Sequence, residues 1–414
     1  MSRKNSILII ILSLIFIIGG LLFFYFSSNK SATTTQTTNT TSPFGNVSGN
    51  TINTNTNQTN QNNQVSGGTQ KKLSKLIQIY RNPTSGSVFF TSKNNQDILR
   101  FIDRAVGNVY EYSPETQTGE ATRVTNTTIP KIQETVWASS GNNLILRYLD
   151  NDTDNISSFS AKVKSSSSTN SLGETTGLFL TSNIKQLVIN PKEDKIFALI
   201  DKSDKSGTYG FTTNLDGGGK KTIFDSPVSY WNISWPKESI VTFTTKPSYR
   251  DSGLLYFFNT QNYSMDRILG GINGMSTLTN KDTTLVAYSY SINNSFSLSV
   301  YDTANKINKD IQVSTLADKC VWGNKNNKVL YCAVPKTINS DNYPDTWYQG
   351  LESFNDNIWI IDTETGDGTI LYETGINENN FIDAFDLKIS PDDKYLSFSN
   401  KNDLSLWLLD LNNN

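Results

Sequence analysis

Histidine is missing from all 414 residues. That absence removes Ser-His-Asp and Cys-His nucleophilic catalysis, imidazole metal ligation and histidine-based pH switching together. Cysteine is nearly missing too, with two residues, too few for a structural zinc site. Charge is sparse: Asp, Glu, Lys and Arg make up 18% of the chain and the net charge is −2. A chain so close to neutrality has no global field to hold nucleic acid, and none is expected as a partner. No cofactor, metal or catalytic residue is expected from the motifs present.

Aromatics are plentiful, at 11% of the chain with 18 Tyr and 21 Phe. One long apolar run stands out, Ile7–Phe26, interrupted only by Ser13, Gly19 and Gly20. At about 1.5 Å per residue it spans roughly 30 Å, the hydrocarbon thickness of a bilayer. Arg3 and Lys4 precede it. The positive-inside rule therefore keeps residues 1–6 in the cytoplasm and places everything after the run outside. No A-x-A-like cleavage site follows in Ser27–Ala32, so the run reads as a retained single-pass anchor in the cell membrane. Residues 27–70 are almost all Ser, Thr, Asn, Gln and Gly, which cannot bury enough apolar surface to offset ordering entropy. They read as a disordered stalk whose ends lie roughly 35–40 Å apart.

From Lys71 the texture changes to short runs of Val, Ile, Tyr, Phe and Thr between Asn, Asp, Gly, Ser and Pro clusters, an all-β signal. One hairpin recurs. Its clearest copy is Phe385–Phe398, where Leu387 and Ile389 alternate into Ser390-Pro391-Asp392-Asp393 and the strand resumes at Tyr395. Proline presets φ in that turn, and the carboxylates bond local amides. The equivalent positions Trp137, Ile189, Trp235, Leu278 and Trp322 lie roughly 43–52 residues apart, the period of a propeller blade. Four antiparallel strands per period make the blade. Third strands are expected at 253–259, 295–302, 357–362 and 404–409, with a short fourth strand such as Ile311-Gln312-Val313.

The expected fold is thus an all-β propeller of seven four-stranded blades over residues 71–414, with six and eight as the other counts. A first blade fits residues 87–124. The last lacks its fourth strand, and the surplus Leu73–Tyr80 is expected to supply it and close the ring. The Ser390–Phe398 hairpin resembles the repeat of TolB-like, WD-repeat-like β-propellers. The resemblance covers most of residues 85–414 and implies the fold. It brings no catalytic residues, because that fold hosts binding modules and enzymes alike.

Two features depart from the bare repeat. Cys320 and Cys332 flank a hairpin symmetrically about Asn326, which sets them opposite one another across neighbouring strands at disulfide range. The interval from Trp322 to Ile389 is about 20 residues too long, marking an insertion, Pro335–Asp356, between the second and third strands of blade 6. Such a loop shares a face with the blade-to-blade connections. Tyr343, Trp347, Tyr348 and Phe354, with Asp345 among several acids, could stack on a sugar, cradle a cation or anchor a protein. The same aromatics could instead tuck over the blade edge as extra core.

Weaker patterns resolve to turns. Asp150–Asn155 alternates acids like a calcium loop but has Asn155 at the glycine position and Ala161 at the glutamate position. Asp216–Thr222 lacks the spacing of a phosphate loop. No sialidase Asp box is present. Function is therefore expected to be binding: an extracytoplasmic module for a protein or an envelope polymer. A carbohydrate-active enzyme working through paired carboxylates at the channel mouth is the alternative.

Overall fold

The computed structural model describes residues 75–116, 120–150, 155–164, 171–292, 295–338, 342–375 and 381–412. The anchor, the stalk and most of the Asp150–Asn155 loop lie outside the described residues. Among the described residues no helix is long and apolar enough to cross a membrane.

The described residues form seven four-stranded antiparallel sheets, six of them built from consecutive strands. The seventh is composite. Its inner three strands are Ala384–Ile389, Tyr395–Asn400 and Leu406–Asp410, and its outer strand is Leu76–Tyr80 from the other end of the domain. Leu76 pairs with Leu409, Ile77 with Leu408 and Gln78 with Trp407. The closure expected from the surplus strand is therefore present, and so is the blade count. Alternation drives it: Leu76 and Ile79 are buried, Ile79 against Phe89, Leu99 and Phe101 of blade 1 and Leu406 and Leu408 of blade 7. The expected third strands agree with the structure to within two residues, at Ser252–Asn259, Ser295–Asp302, Asp356–Asp362 and Leu406–Asp410. The fourth strand of blade 5 is Ile307–Ile311, not 311–313. Its pairing begins where Asp302 turns back on Ile307, so the ladder ends at Ile311.

Two of the repeat positions tie a blade to its neighbour. The Trp137 indole donates to the Gly86 carbonyl of blade 1, and the Trp322 indole to the Leu278 carbonyl of blade 5. Gly86 has φ +144°, and a Cβ there would stand 2.7 Å from the Thr135 carbonyl oxygen, so this approach of blades 1 and 2 requires glycine. On the face of the hairpin turns, an acid of one turn caps amides of the previous blade. Glu193 accepts from Ser140 N, and Asp393 accepts from Asn324 N and Lys325 N.

The Ser390–Asp393 turn also closes the seam with blade 1. Asp392 accepts from Ser390 Oγ and shares a hydrogen bond with Asp97. Burial first, and then Asp392, push the Asp97 carboxyl up to about 6. For Asp392 burial also pushes upward, but hydrogen bonds from Asp97, Lys394 and Ser390 outweigh it and hold the carboxyl below the usual range. Asp97 Oδ2 is buried without a hydrogen-bond partner, which disfavours the charged form of this carboxyl. In the unfolded chain Asp97 titrates near about 3.9. The folded state thus holds a proton there that the unfolded state has released, so the stabilisation is present in acid and lost as pH rises through about 6. The melting temperature of wild type, relative to that of Asp97→Asn, whose amide is neutral throughout, is expected to rise as pH falls from about 7 to about 5.

Cys320 and Cys332 are directly paired on the first two strands of blade 6, and their sulfurs are bonded. Both are buried. Closing a loop of this length contributes about 3 kcal/mol in the chain-entropy model. The Cys320→Ser, Cys332→Ser double variant is expected to lose about that much stability in urea titrations, and reductant to have no effect on it.

Candidate binding site at the channel mouth

The inner strands face the central channel, and irregularities in them aim side chains into it. Register shifts occur at Thr84/Ser87, Ile132/Glu134, Ile184/Gln186 and Phe385/Lys388, in blades 1, 2, 3 and 7. A bulge of this kind turns the strand and redirects the residues beside it. Glu134, Gln186 and Asp386 consequently line cavities.

Two cavities share the channel, since between them they take inner-strand residues from all seven blades. One, about 570 Å³, lies along blades 3, 4 and 5 and is lined by Lys185, Gln186, Tyr230, Trp231, Asn232, Ser234, Thr244, Lys246, Thr277, Asp318 and Tyr348, among others. Tyr230 is 65% exposed, with Lys185 Nζ 5.6 Å from its ring centre. Gln186 and Asn232 bond each other across the blades, and Gln186 Oε1 accepts from Ile233 N. The other, about 450 Å³, is lined by blades 1, 2, 6 and 7, including Glu134, Asp386 and Lys388. Glu134 pairs with Arg147 at 3.2 Å and Asp386 with Lys388 at 2.7 Å. Burial raises the Glu134 carboxyl, Arg147 opposes that, and Asp386 adds to it.

The insertion is a brace over this mouth. It leaves blade 6 after Pro335 and returns at Asp356. A single helical turn, Asp345–Tyr348, forms within it, one that no sustained helical period announces. Asp345 Oδ2 accepts from Tyr249 N of blade 4 at 2.7 Å. Tyr343 meets Phe296 of blade 5, with ring centres 4.6 Å apart, and Phe354 at 5.3 Å. Tyr348 donates to Asp318 in the connection from blade 5 to blade 6. Trp347 Nε1 donates to Asp383 in the connection from blade 6 to blade 7, at 2.9 Å to Oδ2.

Of the two readings open for the loop, this path gives three of its five named residues the packed one. Tyr343, Trp347 and Phe354 are buried with Phe296 and Leu316 in one apolar cluster, and of the three Phe354 lines a cavity, about 650 Å³, with Glu352, Ser353 and Asn402. Rings on a loop long enough to cross four blades gain more by covering the blade edges than by facing water. Asp345 is half-buried and already bonded to blade 4. Tyr348 alone of the set lines the 570 Å³ cavity. Burial raises its hydroxyl well above the ordinary tyrosine value, and Asp318 adds to this. Burial likewise lifts the Asp318 carboxyl, while the Tyr348 hydrogen bond pulls it back.

Under the brace lies a charged core. Lys319, Asp356 and Asp383 have no exposed side-chain surface. Lys319 Nζ is 2.6 Å from Asp383 Oδ1 and 2.8 Å from Asp356 Oδ2. Its ammonium also sits over the Trp347 ring at 5.2 Å and the Phe354 ring at 5.6 Å. Burial pushes the Asp356 carboxyl up to about 6, with Lys319 opposing and Asp383 adding.

The repeat contained a signal for some of what motif reading missed. Tyr230 immediately precedes the first strand of blade 4, Trp231–Lys237, and Lys319 and Asp383 occupy the matching junctions before blades 6 and 7. The partners they find there depend on the path of the brace. The Asp216–Thr222 segment is a hairpin turn, with Gly218 N donating to Asp216 Oδ1. Among the described residues no cluster of acids and cysteines is arranged to hold a metal ion.

No protein-family model matches the sequence, and no curated protein matches it. Solved structures similar in fold include an oligogalacturonate lyase in complex with manganese, at 13% identity and a TM-score of 0.53. An oligogalacturonate lyase from Vibrio parahaemolyticus matches at 9% identity and a TM-score of 0.53. Each alignment covers 82% of this chain and 91% of the other. TolB from Acinetobacter baumannii matches at 11% identity and a TM-score of 0.43, over 67% of this chain and 63% of its own. Likeness at these identities concerns the fold alone.

Proposed function

We propose that this chain is a membrane-anchored, extracytoplasmic binding module that takes a polar chain, from a protein or an envelope polymer, at the braced mouth of its channel. The observation that carries the reading is the 570 Å³ cavity, where exposed Tyr230 stands beside amide and hydroxyl groups of Gln186, Asn232, Thr244 and Thr277. A ring face beside fixed hydrogen-bonding groups is the usual make-up of a site for a partly polar ligand. The brace supports it by fixing that mouth: a rigid rim spends less free energy on ordering when a ligand arrives. Ile7–Phe26 supplies the anchor in this reading, residues 27–70 the tether, and the Cys320–Cys332 disulfide suits an oxidising location.

Full-length protein in detergent should retain envelope material from its own cells. The Tyr230→Ala, Asn232→Ala variant should retain it at least about tenfold more weakly, with an unchanged melting temperature. Equal retention by the variant overturns the site.

The second reading is a glycan-active enzyme. Glu134 and Asp386 favour it, because they line one cavity and Asp386 helps hold Glu134 above the ordinary carboxylate range. Hydrolysis of a glycosidic bond needs such a pair, one proton donor and one base. Turnover on a glycan panel that is abolished by Glu134→Gln would replace the first reading with this one.

A further inference from the structure

Lys319 presents a reactive pair in a dry site. Its amine lies within hydrogen-bond distance of two carboxyl groups, all three side chains are fully buried, and Trp347 and Phe354 close over the amine. The two carboxyls are not equivalent. Asp383 is surrounded by donors: Trp347 Nε1 reaches both of its oxygens, at 3.1 and 2.9 Å, while Ser353 Oγ and Phe354 N reach Oδ2, each at 3.1 Å. Asp356 Oδ2 accepts from Ala384 N at 2.7 Å, but its Oδ1 is buried with no hydrogen-bond partner. A structural ion pair has no use for an orphaned carboxyl oxygen, which costs free energy unless a proton occupies it.

We propose that Lys319 and Asp383 condense into an intramolecular isopeptide bond, with Asp356 as the proton carrier. An amine already bonded to a carboxylate oxygen stands next to the carboxyl carbon, and fixed proximity of this kind replaces the encounter that makes such condensations slow in water. Exclusion of solvent also leaves no bulk water to reverse the step. The ammonium first passes a proton to Asp383, which gives neutral amine and neutral acid. Nζ then attacks Cγ of Asp383 and forms the C–N bond. The oxygen that gathers charge in the tetrahedral intermediate is met by the Trp347, Ser353 and Phe354 donors, the arrangement that stabilises an oxyanion. Asp356 donates its proton to the departing hydroxyl, the C–O bond breaks, and Asp356 recovers a proton from the new amide nitrogen. One water leaves and nothing is oxidised or reduced. The elevated Asp356 carboxyl is in keeping with that role. The product ties together the junctions on either side of blade 6, the blade that carries the brace.

Peptide mapping of full-length, detergent-purified protein with the disulfide reduced tests this. The expected wild-type result is a branched peptide joining the Lys319 and Asp383 segments, lighter by one water than the two free peptides, with trypsin unable to cut at Lys319. Asp383→Asn should reach the same branched product by losing ammonia. Lys319→Arg and Asp356→Ala should leave the segments unlinked. Free wild-type peptides cut at Lys319 overturn the proposal. So does a bond from Lys319 to any other residue, or a water loss that persists in Lys319→Arg, as a succinimide at Asp216–Gly217 would. The wild-type map decides the matter even if a variant fails to fold.

Discussion

Replacing Lys319 with methionine is expected to cost about 3–5 kcal/mol of folding stability, measured by urea unfolding of the full-length protein. Methionine fills most of the volume of the lysine stem, so the loss is not a cavity: it is the loss of the Lys319 tie to Asp383, as ion pair or as the bond proposed above, and of the charge balance of two buried carboxyls. Two carboxyl groups with no exposed surface lose the cation that both contact. The pocket cannot recruit water to replace it, because the brace seals it: Trp347 and Phe354 lie over the amine, and Tyr343 packs behind Phe354. The companion triple variant Lys319→Met, Asp356→Asn, Asp383→Asn should recover part of the loss, since a neutral set escapes the penalty of an unpaired buried charge. If Lys319→Met alone is neutral, the three groups are not the keystone of the brace.

The second large effect belongs to the ring closure. Ile79→Asp should destabilise the domain by about 4 kcal/mol or more, because a carboxylate would enter the apolar seam among Phe89, Leu99, Phe101, Leu406 and Leu408. The neighbouring Gln78→Asp change, on a half-buried residue of the same strand, should cost under about 0.5 kcal/mol. The contrast separates loss of the seam from a general intolerance of charge in this strand. Since Leu76–Tyr80 is the only strand of the last blade contributed from the other end of the domain, the variant should also become sensitive to proteolysis near that end.

These two cases show which parts of the molecule could be read from the chain. Closure was legible because it is a matter of counting and alternation. Blade 7 ran out of strands at Leu409-Asp410, and an apolar segment of matching period stood unused at Leu73–Tyr80. The disulfide was legible because a hairpin's register follows from its turn, which put Cys320 opposite Cys332. The brace was visible as excess length, but the destination of its side chains was not. Whether Trp347 faces water or Asp383 depends on a contact 36 residues away, and Asp345 finds its partner 96 residues away in blade 4. No local pattern encodes such distances. Lys319 stayed hidden for the same reason: a lone lysine beside a cysteine gives no sign of burial until blade 7 and the brace close over it. The channel residues fell between these cases. Their place at the start of an inner strand follows from the repeat, while the bulges that turn Glu134, Gln186 and Asp386 inward do not.

The most direct test of binding at the braced mouth is photo-crosslinking in intact cells, with a photoreactive residue in place of Tyr230 in one strain and in place of Ile307, exposed on the outer strand of blade 5, in another. A discrete adduct from position 230, absent from position 307 and lost on adding Asn232→Ala, is the result this account predicts. No adduct at 230, or the same adduct from both positions, would contradict it.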